Sequence, residues 1–404
     1  MLTISNKVTC CGCEACAQKC PVSAIEMFSD EEGFLYPTVD NEKCIQCGLC
    51  EKVCPIKKKA ERFDVILSYG IQNLNEEIRA QSTAGGAFYA IASHFINEQG
   101  VVFGAAFDEK NVVIHRAATT HDELLPLCMS KYVQSKIGST YKCVERELKA
   151  GKKVCFCGTP CQCEGLIKYL GERPDSLFLI DFLCHGVSSP KVWKKYVDEM
   201  NKKYGAIHFQ FRAKEKGYQA NEMKITDYDG NSYFAVDEKS KDIRFMRDAF
   251  FSEIISRPSC HSCAFKTQAR VSDITLGDLW HVNKYDKTFD DDKGTTFLAV
   301  HTDKGAKLLP ELQEVRITNV PVEQYIKDDG VNMVCSMSAN ANRTAFFNSI
   351  ENNSLDQLSE SYLQRKHSLL KYAIKRFLVK IGVFHVARNI SYRFKEFRYK
   401  RKVK

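Results

Sequence analysis

Short alternating stretches at residues 24–28 and 34–36 flank the acidic turn Asp30-Glu31-Glu32-Gly33, and this pattern predicts a small hairpin. Residues 101–107 and 112–117 are apolar runs on either side of Asp108-Glu109-Lys110, which predicts a second hairpin. Beyond it, strand and helix patterns alternate. Residues 153–156 read as a short buried strand, 162–170 as a helix, 177–183 as another buried strand and 190–204 as an amphipathic helix. Strands alternating with helices predict an α/β core, and the hairpins make its sheet a mixed one. Near the C-terminus Leu370, Ile374, Phe377, Leu378 and Ile381 recur at helical spacing, with Lys371, Lys375, Arg376 and Lys380 between them.

The chain has 404 residues, too many for one compact core, so two or three domains are expected. No apolar run is long enough to predict a membrane-spanning helix. Residues 1–9 lack a basic stretch followed by an apolar one, so no secretory signal is predicted and a cytoplasmic protein is expected. The net charge of +8 changes this picture only locally. Residues 365–404 hold 14 Lys/Arg and one acid, which leaves 44 bases against 49 acids in the rest of the chain. A slightly acidic body therefore carries a basic tail.

Nineteen cysteines in such a chain point to metal or redox chemistry rather than disulfides, and nine of them fall between Cys10 and Cys54. Cys10, Cys13, Cys16, Cys20 and Pro21 follow the bacterial ferredoxin spacing C-x2-C-x2-C-x3-C-P, and Cys44, Cys47, Cys50, Cys54 and Pro55 repeat it. Three close thiolates wrap one 4Fe–4S cubane, while the fourth, turned away by its proline, reaches the other. The expected sets are Cys10, Cys13, Cys16 and Cys54 for one cluster, and Cys44, Cys47, Cys50 and Cys20 for the other. Structural zinc is the competing reading, disfavoured by two complete repeats with both prolines. Cys11 breaks no spacing and reads as a bystander. The lysine-rich stretch from Lys57 to Arg62 reads as an exposed linker.

Further along, Ser82-Thr83-Ala84-Gly85-Gly86 precedes a helical pattern, which suits either phosphate binding or a simple tight turn and cap. Gly158-Thr159-Pro160-Cys161-Gln162 stands at a strand-to-helix turn, Cys184-His185-Gly186 closes the next strand, and Cys260-His261-Ser262-Cys263 forms another C-x2-C pair. By spacing alone Cys161, Cys184, Cys260 and Cys263 could ligate a third cluster, bind zinc or remain free thiols. Cys155, Cys157 and Cys163 are expected as buried packing residues.

These stretches, with Lys131-Tyr132-Val133-Gln134-Ser135, residues 181–190, 260–266 and 272–280, resemble the coenzyme F-420 hydrogenase/dehydrogenase beta-subunit family over about residues 1–335. The resemblance implies an FAD bound by the α/β domain and a third 4Fe–4S cluster on Cys161, Cys184, Cys260 and Cys263. It implies FAD contacts from Ser82, Thr83, Gly85, Gly86, Lys131, Gln134, Ser135 and Thr159. For Lys131, a solvated surface position is the alternative. The resemblance puts Asp273, Gly277, Asp278 and Trp280 near the site, and Gly294-Thr295-Thr296 also looks like a family loop. His185 and His261, beside the expected ligands, read as cluster-tuning or plain loop residues.

The expected fold class is thus α+β to α/β. It comprises a two-cluster ferredoxin-like domain at 1–60, a larger mixed-sheet α/β flavin-binding domain at 61–338 and a helical basic extension at 339–404. The expected function is an iron–sulfur flavoprotein oxidoreductase that links a ferredoxin or other redox partner subunit to a small organic substrate, either coenzyme F-420 or one from surface-polysaccharide synthesis. A non-catalytic electron relay is the alternative, and a zinc-stabilised interaction module is the third reading. The basic tail fits peripheral membrane contact, a partner subunit or a solvated extension. Beyond its charge nothing suggests nucleic acid.

Overall fold

The computed structural model describes residues 7–236 and 242–363, with scattered positions from 374 to 390. The expected helix of the basic tail therefore lies almost wholly outside the described residues. Among the described residues no helix is long and apolar enough to cross a membrane.

The N-terminal lobe contains an antiparallel pair, β1 (Ile25–Ser29) and β2 (Leu35–Val39), with Ile25 opposite Val39. The Asp30 carboxylate builds the turn between them by accepting from the amides of Glu32 and Phe34 at 3.1 and 2.9 Å. The turn positions Phe34, fully buried against the larger domain.

That domain is built on an eight-stranded mixed sheet. In chain order its strands are β3 (Leu67–Asn73), β4 (Val101–Phe107), β5 (Val113–Ala118), β6 (Val154–Cys157) and β7 (Leu177–Phe182). A separate three-stranded sheet follows, formed by β8 (Ala206–Ala213), β9 (Glu222–Asp227) and β10 (Ser232–Phe234). The chain then returns with β11 (Ile274–Asp278), β12 (Thr296–Val300) and β13 (Val315–Asn319), giving the spatial order β13-β3-β12-β11-β7-β6-β4-β5. Strands β4, β6, β7 and β11 are parallel neighbours, β3 shares their direction through antiparallel β12, and β5 and β13 run the other way at the edges. Helices cover both faces, which is why β6 and β7 read as continuous apolar runs. The hairpin expected at 101–117 is the β4–β5 pair.

The lobe is stitched to the domain by side chains that meet backbone. The Glu14 carboxylate accepts from the amides of Ile137 and Gly138 at 2.8 and 3.0 Å, and Gln18 accepts from the Tyr141 amide at 3.0 Å. Arg343 grips Glu32 through two hydrogen bonds of 2.6 and 2.5 Å. The linker is only partly free. Lys57, Lys58 and Lys59 are exposed, but buried Glu164 accepts from the Ala60 amide at 2.9 Å and from Arg62 at 2.7 and 3.0 Å. Breaking a buried pair by removing one partner costs about 3–5 kcal/mol. Glu164→Leu is therefore expected to speed trypsin cleavage at residues 57–59 by about tenfold or more, read as digestion of the native protein. An unchanged rate would mean that other contacts hold the linker.

Candidate functional site

All five co-directional strands end on one edge of the sheet, at Asn73, Phe107, Cys157, Phe182 and Asp278. Open α/β sheets present ligand sites at this carboxyl edge. After β6 the chain turns at Gly158 into the helix Pro160–Leu170. Thr159 caps it: its hydroxyl accepts from the Gln162 amide, and the Gln162 side chain accepts from the Thr159 amide at 2.9 Å. This capping box places Cys161 in the first helical turn. After β7 comes Cys184, and the short 3-10 helix Pro258–Ser262 brings Cys260, with Cys263 just beyond it.

Cys161, Cys184, Cys260 and Cys263 line one cavity of ≈ 240 Å³. Burial and the neighbouring thiols push Cys184 up to about 12 and Cys260 higher still. As free thiols these groups resist ionisation, whereas the cationic core of an iron–sulfur cluster would hold them as thiolates. Among the described residues no three Cys, His, Asp or Glu side chains converge as the ligands of a single metal ion would. The thiols instead surround a space, as a polynuclear cluster requires. Sequence spacing alone left zinc and free thiols open; convergence of three distant segments on one cavity fits the cluster better.

In the lobe, Cys10, Cys13, Cys16 and Cys54 are close enough that charge on one raises the thiol pKa of another. Cys20, Cys44, Cys47 and Cys50 line a second, smaller hollow, and Cys47 is exposed. Cys11, expected as a bystander rather than a ligand, lines the quartet's cavity. Cys155 and Cys163 are fully buried as expected, while Cys157 is only partly covered.

The residues expected to touch a flavin form two groups. Around the helix Ala87–Asn97, the Gly85 amide donates to the Thr296 hydroxyl at 2.8 Å and its carbonyl accepts from the Asn73 amide at 2.7 Å. A Cβ on Gly85 would stand 2.2 Å from the Ile71 carbonyl oxygen, so glycine here serves close strand approach rather than an open anion cradle. The Ser82 hydroxyl donates to the Ile78 carbonyl, Thr83 accepts from the Ser130 amide at 2.7 Å, and Gly86 opens the helix at φ +85°. Lys131 is not a solvated surface lysine. Its ammonium donates to the carbonyls of Ala105 and Pro126 at 2.8 and 2.6 Å, and burial pulls its pKa down to about 8. The second group lies at the quartet. Gln134 and Thr159 line its cavity, and Ser135 accepts from Gln162 at 2.9 Å.

Arg212, Lys214 and Tyr218, to which sequence reasoning gave no role, complete this edge beside Asp278 and Trp280, which it placed near the site. Buried Arg212 donates to Asp278 at 2.9 Å and to the Tyr132 hydroxyl at 3.2 Å. Trp280 stacks on Tyr218 at 4.4 Å and lies 4.5 Å from the Arg212 guanidinium. Lys214 donates to the carbonyls of Arg79, Ala84 and Lys293, and burial, with Arg79 and Arg212 nearby, pulls it down to about 7. A lysine and an arginine two apart on the end of a strand were the available signal. Asp273, in contrast, is misplaced by the sequence reading. It precedes β11, at the opposite edge, and there accepts from Arg173, the Leu179 amide and Thr302 at 2.8, 2.8 and 2.6 Å. His185 pairs with Glu253 and its Nδ1 accepts from the Asn332 side-chain amide at 3.2 Å, while His261 contacts the Met337 carbonyl at 3.1 Å.

Comparison with known proteins matches these parts. Residues 9–58 match the family model of the 4Fe-4S dicluster domain, and residues 151–324 match that of the C terminus of the coenzyme F420 hydrogenase/dehydrogenase beta subunit. An uncharacterized polyferredoxin-like protein of Methanocaldococcus jannaschii is 38% identical over 55 residues, 12% of this chain and 33% of its own. An ion-translocating oxidoreductase complex of Methanosarcina acetivorans has a component that is 41% identical over 51 residues, 13% of this chain and 17% of its own. The chain thus spans a third or less of the length of these curated relatives. A chain in the structure of the F420-reducing NiFe hydrogenase complex from Methanosarcina barkeri is similar over 74% of this chain and 92% of that chain, at 15% identity and a TM-score of 0.43. The chain thus joins a segment that matches the 4Fe–4S dicluster domain to one that matches the C-terminal domain of the coenzyme F420 hydrogenase/dehydrogenase beta subunits.

Proposed function

We propose that this protein is an iron–sulfur flavoprotein oxidoreductase that exchanges electrons between a one-electron carrier and a two-electron organic substrate. The observation that carries the reading is the convergence of Cys161, Cys184, Cys260 and Cys263 on one cavity at the carboxyl edge, with Cys11 of the ferredoxin-like lobe in its wall. A flavin bound at this edge would supply the exchange between one- and two-electron chemistry. The chain's own residues then have distinct tasks. The twelve cysteines hold three clusters, and Ser82, Thr83, Gly86 and Lys131 shape the flavin's surroundings. Lys131, held by two carbonyls and easily neutralised, supplies positive charge when an anionic ring lies nearby. Half-buried Trp280, stacked on buried Tyr218 beside Arg212, offers an aromatic ring suited to a flat heteroaromatic substrate such as the deazaflavin coenzyme F-420. A substrate from polysaccharide synthesis is the other candidate.

A relay subunit that feeds a partner enzyme is the second reading. It is favoured by the internal hydrogen bonds that already occupy Gln134, Ser135 and Thr159. Cofactor content separates the two. Anaerobically purified protein supplied with FAD is expected to hold about twelve irons and about one flavin per chain. About eight irons and no flavin would overturn the enzyme reading.

A further inference from the structure

Arg257 is the largest fully buried side chain among the described residues, and none of them places a carboxylate within ion-pair distance of it. A buried charge without a counter-charge is costly, so its surroundings must supply the balance. Its guanidinium donates to the Cys10 carbonyl at 2.9 Å, the Gln134 side chain at 2.8 Å and the Leu35 carbonyl at 3.0 Å. It lies 4.3 Å from the Tyr36 ring. Glu14, close by, spends its carboxylate on the amides of Ile137 and Gly138.

The thiols are what this cation faces. Its guanidinium holds the Cys10 carbonyl on one side and, through Gln134, the wall of the quartet's cavity on the other, and the Arg257 carbonyl accepts from the Cys260 amide at 2.9 Å. Cys11 spans the same gap: its carbonyl accepts from the Gln134 side chain at 3.3 Å, and it lines the quartet's cavity together with Cys161. Two glycines permit the approach. A Cβ on Gly12 would stand 2.5 Å from the Gln134 nitrogen and 2.8 Å from Arg257, and one on Gly165 would stand 3.1 Å from the Cys13 sulfur. The first set is therefore pressed against the quartet.

We propose that electrons cross between the first ferredoxin cluster and the quartet's cluster at the Cys11–Arg257 joint, with Arg257 as the counter-cation both clusters share. This rests on the three-cluster reading above. One electron leaves the reduced cluster on one side and arrives on the other; no bond forms or breaks and no proton moves. A one-electron carrier of the ferredoxin type supplies it. Each reduction adds a negative charge, so a fixed cation nearby favours the reduced state on either side and raises both potentials. Arg257 is a positioning residue, and the second ferredoxin set, which it does not touch, serves as internal reference.

The test is a redox titration of the full chain followed by electron paramagnetic resonance, comparing Arg257→Gln and Arg257→Lys with the unmodified protein. Glutamine is expected to retain all iron and to lower two of three midpoints by the equivalent of about tenfold in the reduction equilibrium, about 59 mV per electron. The third midpoint stays, and lysine restores the other two. Unmoved midpoints in an iron-replete Arg257→Gln protein would overturn the proposal, as would equal shifts for lysine and glutamine. If glutamine sheds iron, lysine alone decides: retained midpoints support the shared cation and lowered ones overturn it. An unmodified chain with only two clusters refutes the three-cluster reading first, before any variant is compared.

Discussion

Replacing Cys260 by serine is expected to remove about four of about twelve irons per chain and to leave the ferredoxin pair intact. Cys260 is drawn from a short 3-10 helix far along the chain from Cys161 and Cys184, yet it shares their cavity. Serine matches the volume of cysteine closely, so the fold is retained while the donor set loses a soft ligand. The lobe's two sets draw no ligand from this segment. Iron analysis and the spectrum of the reduced protein read both halves of the expectation. Unchanged iron would overturn the assignment of the quartet, and loss of all iron would show that the lobe's clusters depend on it.

Asp273→Ala is expected to destabilise the protein by about 3–5 kcal/mol without altering cluster midpoints or flavin content. Asp273 is fully buried, and three donors converge on it: Arg173, the Leu179 amide and Thr302. Alanine leaves a buried amide and hydroxyl unpaired and strips the partly exposed Arg173 of its partner, so the lower end of that range is the firmer expectation. Anaerobic denaturant titration checks the stability, with the midpoint shift read at constant slope. A stable variant that instead loses flavin would return Asp273 to the site.

The sequence made the lobe legible because ferredoxin chemistry requires a strict local spacing, and all eight cysteines of the two motifs, with the β1–β2 hairpin, lie within a short span. The core strands β4, β6 and β7 were legible for a similar reason: buried parallel strands must be apolar throughout. The sheet of β8, β9 and β10 was not. Its strands mix buried Arg212 and Glu222 with exposed His208 and half-buried Lys224, which blurs the period, and β3, β11, β12 and β13 gain their identity only from partners distant in sequence. Asp273 went astray because a motif marks a strand without saying at which end of it a residue lies. Arg257 and Cys11 gave no sequence signal, since their roles exist only where the lobe meets the domain.

The stitching of the lobe to the domain bears on how fast electrons could move inside the chain. Carriers on swinging arms exchange electrons only after a search, so their rates follow solvent viscosity and linker length. Here Glu14, Gln18 and Glu164 bind the lobe through main-chain amides, and Cys11 of the lobe lines the quartet's cavity. With the spacing set by packing rather than by encounter, internal transfer becomes a matter of fixed separation and driving force. Collision enters only at the outer surface, where Cys47 and its neighbour Ile45 are open to a visiting partner.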